Sequence, residues 1–90
     1  MINRGGLKPK KTLESVLSGR QDQNLRFEDR CGLLEALRFE RRVRGSHRIF
    51  TQAGVAEIIN IQPRAGGRAK PYQVKQVRNL ITHYGLGLDP

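Results

Sequence analysis

The sequence predicts a small α+β domain in which a helix, a three-stranded antiparallel sheet and a second helix follow one another, preceded by a short N-terminal helical extension. Two helical stripes carry the first part of that expectation. Phe27, Cys31, Leu34 and Leu37 fall at i, i+4, i+7 and i+10, and Val74, Val77, Ile81 and Tyr84 at i, i+3, i+7 and i+10. Between the stripes lie short runs separated by turn dipeptides, which read as strands. Ninety residues allow one modest core, since a chain of this size buries only about 60–65% of its unfolded surface.

Taken in order, Met1 to Lys11 is basic and lacks the apolar stretch of a secretory signal, so it reads as a flexible arm. Thr12 is placed to cap a short helix through Leu17, with Glu14 in its first turn, Leu13, Val16 and Leu17 on one apolar edge, and Ser18-Gly19 at its end. Arg20 to Asn24 is polar throughout and reads as a linker. Residues 1–24 are therefore an extension docked onto a domain of residues 25–85, with 86–90 as a tail. In the helix from Phe27 to Leu37, Glu28 and Asp29 oppose the positive end of the dipole. With Glu35 and Glu40 they form the acidic region of the chain, a poor surface for phosphate.

Phe39 to Arg44 and His47 to Thr51 bracket Gly45-Ser46, a dipeptide that closes a two-residue hairpin. A turn around Gln52-Ala53-Gly54 leads to a third strand from Val55 to Gln62, closed by Pro63. A strict two-residue loop sets Arg44 against His47 and Arg42 against Ile49 on one side of the sheet, with Val43, Arg48 and Phe50 on the other. Both sides mix apolar and charged residues, so alternation does not choose the buried side, and a bulge would shift the register. Arg64 to Lys70 reads as a flexible basic loop leading to Pro71, a favoured first helical residue. Gly85 suits the left-handed stop of the last helix, and His83 in the final turn suits its dipole.

The formal charge of +9 and the isoelectric point near 10.9 call for a polyanionic partner, nucleic acid first. No segment is long or apolar enough to suggest a membrane partner. Cys31 sits within an apolar stripe and has no second cysteine to pair with, as in a reducing cytosol, so a cytoplasmic location is expected. His47, His83 and Cys31 have no zinc-like spacing, so neither a metal nor another cofactor is expected. Between Glu57 and Asp89 there is no acidic residue, while Arg64, Arg68, Lys70, Lys75 and Arg78 all carry charge. These five read as contacts to RNA phosphates, with the glycine-preceded start of the last helix as an anion site. Arg44, Ser46 and Arg48 around the first turn join them. His47 is the chemically interesting residue of that turn, because an imidazole titrates at roughly 6.5 and exchanges protons near neutrality. The plain alternative is a solvated or structurally bonded histidine.

Helix, three antiparallel strands, helix is also the element order of the double-stranded-RNA-binding fold. Added to it, Leu33-Leu34-Glu35-Ala36-Leu37-Arg38-Phe39, Gly45-Ser46-His47-Arg48-Ile49-Phe50 and Lys70-Pro71-Tyr72-Gln73-Val74-Lys75-Gln76-Val77 resemble the HicA family of toxin-antitoxin ribonucleases over about residues 25–85. The most specific piece is Gly-Ser-His with Phe three residues beyond the histidine. The resemblance implies a type II toxin that cleaves mRNA without a metal, His47 as its catalytic residue, and a HicB-like antitoxin that masks it. Two positions depart from the family pattern: Arg48 stands where a second histidine is common, and Arg38 where glycine is common. A left-handed backbone at Arg38 would cost about 1 kcal/mol.

The chemistry expected of such an enzyme is in-line attack by the ribose 2′-OH, an internal nucleophile beside the scissile phosphate. His47 would take the proton, with Arg44 and Arg48 opposing charge on the phosphorane. Water, His83 or His47 itself would protonate the leaving oxygen. Two other readings use the same charge: a non-catalytic RNA-binding module, and a small domain that meets an acidic protein.

Overall fold

A computed structural model describes residues 4–88 of the chain. Helix α1 spans Arg4–Ser18 and α2 Phe27–Ala36; strands β1 (Glu40–Arg44), β2 (His47–Gln52) and β3 (Val55–Ile61) follow, then a single 3-10 turn (Ala65–Gly67) and α3 (Pro71–Tyr84). The strands form one antiparallel sheet in the order β1-β2-β3, so β1 and β3 are both edges. This is a small α+β fold, compatible with a double-stranded-RNA-binding-like arrangement carrying an additional N-terminal helix.

Gly45 takes the φ of 56° that a two-residue turn needs at its first central position. Arg44 accordingly pairs with His47, Arg42 with Ile49 and Arg41 with Phe50. Strand β3 pairs Ile59 with Phe50 and Ile61 with Arg48, and an irregularity follows between Phe50 and Gln52. Phe50, Ile59 and Ile61 are fully buried, which identifies their side of the sheet as the one the helices cover. Arg42, Arg44, His47, Ile49 and Asn60 share the opposite side by strand alternation.

The core joins Val16 of α1, Phe27, Cys31, Leu33 and Leu34 of α2, the three strand residues, and Val74, Val77, Leu80 and Ile81 of α3. Burial pushes the Cys31 thiol up to about 11, so it is an inert packing group.

The N-terminal expectation needs correction. Thr12 is inside α1 rather than at its cap, and its hydroxyl donates to the Lys8 carbonyl at 3.0 Å. The helix starts upstream of Pro9, whose ring is buried, so the stretch from Arg4 to Lys11 is helical where an arm was expected; Met1 to Asn3 lie outside the described residues. The stretch is basic with little apolar patterning, and packing of α1 on α2 holds it helical. Leu17 is 47% exposed, while Val16 alone of its three-residue edge is fully buried.

Arg38 adopts φ 78°, and no other non-glycine residue among the described residues has a positive φ. It closes α2, with the Phe39 N–H bonded to the Leu34 carbonyl at 3.0 Å. Substitution Arg38→Gly is expected to stabilise the fold by about 1 kcal/mol, because relief of the left-handed strain outweighs what an exposed arginine contact contributes. Denaturant titration of the two proteins measures it.

Candidate active site

The histidine at the hairpin turn is held by a side chain that the sequence alone did not single out. His47 Nδ1 and Asn60 Oδ1 lie 2.8 Å apart on the open side of the sheet. An amide oxygen only accepts, so with Asn60 in this orientation Nδ1 carries the hydrogen, and the lone pair of the neutral ring is on Nε2. His47 is half-buried and Arg44, across the turn, is exposed. Arg42, one pair further along the same side, is exposed as well. An imidazole nitrogen without a hydrogen bond among the described residues, on the same side of the sheet as two exposed arginines, has the parts of a base beside an anion subsite.

The arginine next to the histidine in sequence lies elsewhere. Arg48 points to the helix-covered side, where its guanidinium sits 5.9 Å from the centre of the Phe27 ring. Its Nη1 donates to the carbonyls of Gly45 (3.2 Å) and His47 (3.4 Å). Arg48 therefore grips the backbone of the turn, and the expected pair of cations around the imidazole is Arg44 with Arg42 rather than Arg44 with Arg48.

Strand β3 runs out past Ile61 beside Arg48, so the chain enters the basic loop at the same end of the sheet as the Gly45-Ser46 turn. Ser46 is exposed at that turn, and Arg68 and Lys70 are exposed and half-buried respectively. The loop is tied down where a flexible one was expected. Arg64 Nη2 donates to the Gln23 carbonyl at 2.6 Å and its Nε to Ala69 at 3.2 Å, while Arg68 forms isolated bridges with Arg26 and Arg64. Arg64 is a structural clamp. The start of α3 is also less open than expected, because Pro71 has no N–H and those of Gln73 and Val74 both donate to the Lys70 carbonyl.

Arg78, read from the sequence as a phosphate contact, is engaged within the fold. Its Nη1 donates to both Asp22 carboxylate oxygens at 3.0 and 3.1 Å and to the Val16 carbonyl at 3.0 Å. The acid-free stretch of sequence misled here, since the partner carboxylate comes from 56 residues away. Arg78→Ala is expected to cost about 1–3 kcal/mol in thermal or denaturant unfolding, by leaving the Asp22 carboxylate without its cation and removing the tie to the Val16 carbonyl, with no loss of RNA affinity in the folded protein.

Lys75 is exposed in a groove with Glu57, Tyr72 and His83. That groove lies towards the far end of the sheet. The Tyr84 hydroxyl donates to Glu57 Oε1 at 2.6 Å and accepts from the Ala56 N–H at 3.3 Å, and Val55 pairs with Gln52. Five residues of strand, roughly 17 Å, separate that end from His47, so His83 is not brought to it as a proton donor. The Tyr84 hydroxyl holds the Glu57 carboxyl below its usual range.

Beneath the open site lies a buried charge. Arg30 of α2 is fully buried, its guanidinium 5.8 Å from the Phe27 ring centre, and burial lowers its pKa to about 10, which leaves it charged at neutrality. Nη2 donates to Gln73 Oε1 at 3.3 Å, while Nε and Nη1 have no hydrogen-bond partner. The available signal for Arg30 was a charged residue on an apolar stripe, three positions after Phe27 and four before Leu34.

Comparison of the chain with protein-family models, curated proteins and solved structures finds no match.

Proposed function

We propose that the protein is a metal-independent endoribonuclease, a type II toxin of the HicA kind that cleaves mRNA, with His47 as general base. One observation carries the reading: the imidazole on the open side of the sheet is hydrogen-bonded at Nδ1 by Asn60, which leaves Nε2 as the basic atom, on the side of the sheet that also carries Arg44 and Arg42. The net charge of +9 and the resemblance of the Gly45-Ser46-His47 stretch support the same substrate class.

On this reading a single RNA strand crosses the open side of the sheet. Nε2 of His47 takes the 2′-OH proton as the oxygen attacks the adjacent phosphorus, and the bond to the leaving 5′-oxygen breaks. The products are a 2′,3′-cyclic phosphate and a 5′-hydroxyl end. Arg44 and Arg42 oppose the charge that builds on the non-bridging oxygens, a role that removal of either weakens. The leaving oxygen takes its proton from water or from the His47 imidazolium formed in the first step. A HicB-like antitoxin partner follows from the same reading, as a protein that covers the open side and its histidine. The proposed location is the cytoplasm. No helix among the described residues is long and apolar enough to cross a membrane.

The test is incubation of the purified chain with end-labelled single-stranded RNA in chelator-treated buffer. Cleavage to cyclic-phosphate ends is expected, and a 2′-deoxy substitution at the cut position blocks it. RNA that is bound and left intact assigns the basic surface to a non-catalytic RNA-binding module, and a deoxy site that is still cut assigns the reaction to activated water.

A further inference from the structure

We propose that Gln73 is a positioning residue for His47, acting through Asn60, and that the buried guanidinium of Arg30 exists to orient it. This rests on the reading of His47 as the general base. Three hydrogen bonds in series connect the core to the imidazole: Arg30 Nη2 to Gln73 Oε1 at 3.3 Å, Gln73 Nε2 to the Asn60 carbonyl at 3.1 Å, and His47 Nδ1 to Asn60 Oδ1 at 2.8 Å.

The orientation of each group follows from its donors and acceptors. A guanidinium has only donors, so Oε1 of Gln73 must face Arg30, and its Nε2 is thereby turned to the Asn60 carbonyl. A flipped amide would set donor against donor at one end and acceptor against acceptor at the other. Strand β3 is an edge with no strand beyond it, so Gln73 ties down a backbone that the sheet holds from one side only. With that backbone fixed, the Asn60 side chain is held at 2.8 Å from Nδ1, and with its oxygen turned to the ring it keeps the imidazole in the Nδ1–H form. An unrestrained imidazole favours the other tautomer, which would place the hydrogen on the atom that must act as base.

The cost of the arrangement points the same way. Arg30 is fully buried with two donor nitrogens unpaired, an expense that packing alone does not explain, since an apolar residue of similar volume fills such a site at least as well. Among the described residues no carboxylate is hydrogen-bonded to its guanidinium. Beside its contact with the Phe27 ring, the hydrogen bond that the structure shows for the charge is to Gln73.

The deciding variant is Gln73→Glu. Glutamate keeps an acceptor for Arg30, now as an ion pair, and loses the donor to the Asn60 carbonyl. Two readouts are taken on the full chain: the tautomer of neutral His47 from two-bond proton–nitrogen correlation spectra at a pH of about 8, above the ordinary imidazole range of roughly 6.5, and steady-state RNA cleavage. His83 is the internal reference.

Wild type is expected in the Nδ1–H form and Gln73→Glu mainly in the Nε2–H form. The kcat is expected to fall about tenfold to a hundredfold, with KM changed less than about twofold because no substrate contact is touched. A His47 tautomer and kcat like those of wild type in Gln73→Glu overturn the proposal. If that variant does not fold, the paired change Arg30→Met with Gln73→Met removes both polar groups together. Loss of the Nδ1–H form in it supports the proposal, and its retention overturns it. The tautomer needs no RNA, so a shift in a protein that cuts no RNA keeps the positioning role and refutes the nuclease.

Discussion

Replacing His47 by alanine is expected to lower RNA cleavage by roughly 10²–10⁴-fold, the range supplied by a positioned general base, while RNA binding and folding are retained. The ring is half-buried on the open side of the sheet and contributes nothing to the core cluster, so its removal leaves packing intact. Arg44, Arg42, Arg68 and Lys70 stay in place, which preserves attraction for the phosphate backbone. Single-turnover cleavage with protein in excess, alongside a salt titration of binding, separates the two effects. A variant that cuts at the wild-type rate places the chemistry on another group.

The second large effect is on the other side of the same strand. Phe50→Ala is expected to cost about 3–5 kcal/mol, since it removes a fully buried ring and leaves a cavity that neighbours fill only in part. Against a total of roughly 5–10 kcal/mol for a domain of this size, that leaves much of the population unfolded near body temperature. Circular dichroism melts measure the loss. His47 and Phe50 are three apart on β2, so strand alternation sends them to opposite sides. The ring that anchors the core therefore also fixes which way the imidazole faces.

Much of this was legible in the sequence because it is local. The two apolar stripes gave α2 and α3 close to their observed ends, Gly85 takes the left-handed conformation expected of it at φ 63°, and a strict Gly45-Ser46 turn gave the pairing of Arg44 with His47. What was not legible depends on long-range partners. Which side of the sheet is covered is decided by where α2 and α3 pack, and both sides of the hairpin mixed apolar residues with arginines. Arg64, Arg48 and Arg78 look like Arg44 in a linear reading, yet each is claimed by a carbonyl or carboxylate that only the fold brings near. Asn60 sat inside a β-branched run, and its polar character gained meaning only once the register put it diagonally across from His47. Arg38 was singled out because it stands where the resembled family commonly has glycine, and the left-handed backbone is there at φ 78°.

The clasp between Arg78 and the loop after α1 has a bearing on synthesis. Residue 78 closes contacts to Val16 and Asp22 across separations of 62 and 56 residues, so α1, which can pack on α2 early, gains this second fastening only when α3 has been made. A nascent chain that stalls short of α3 carries an uncovered apolar seam, which makes prematurely halted products ready prey for proteases.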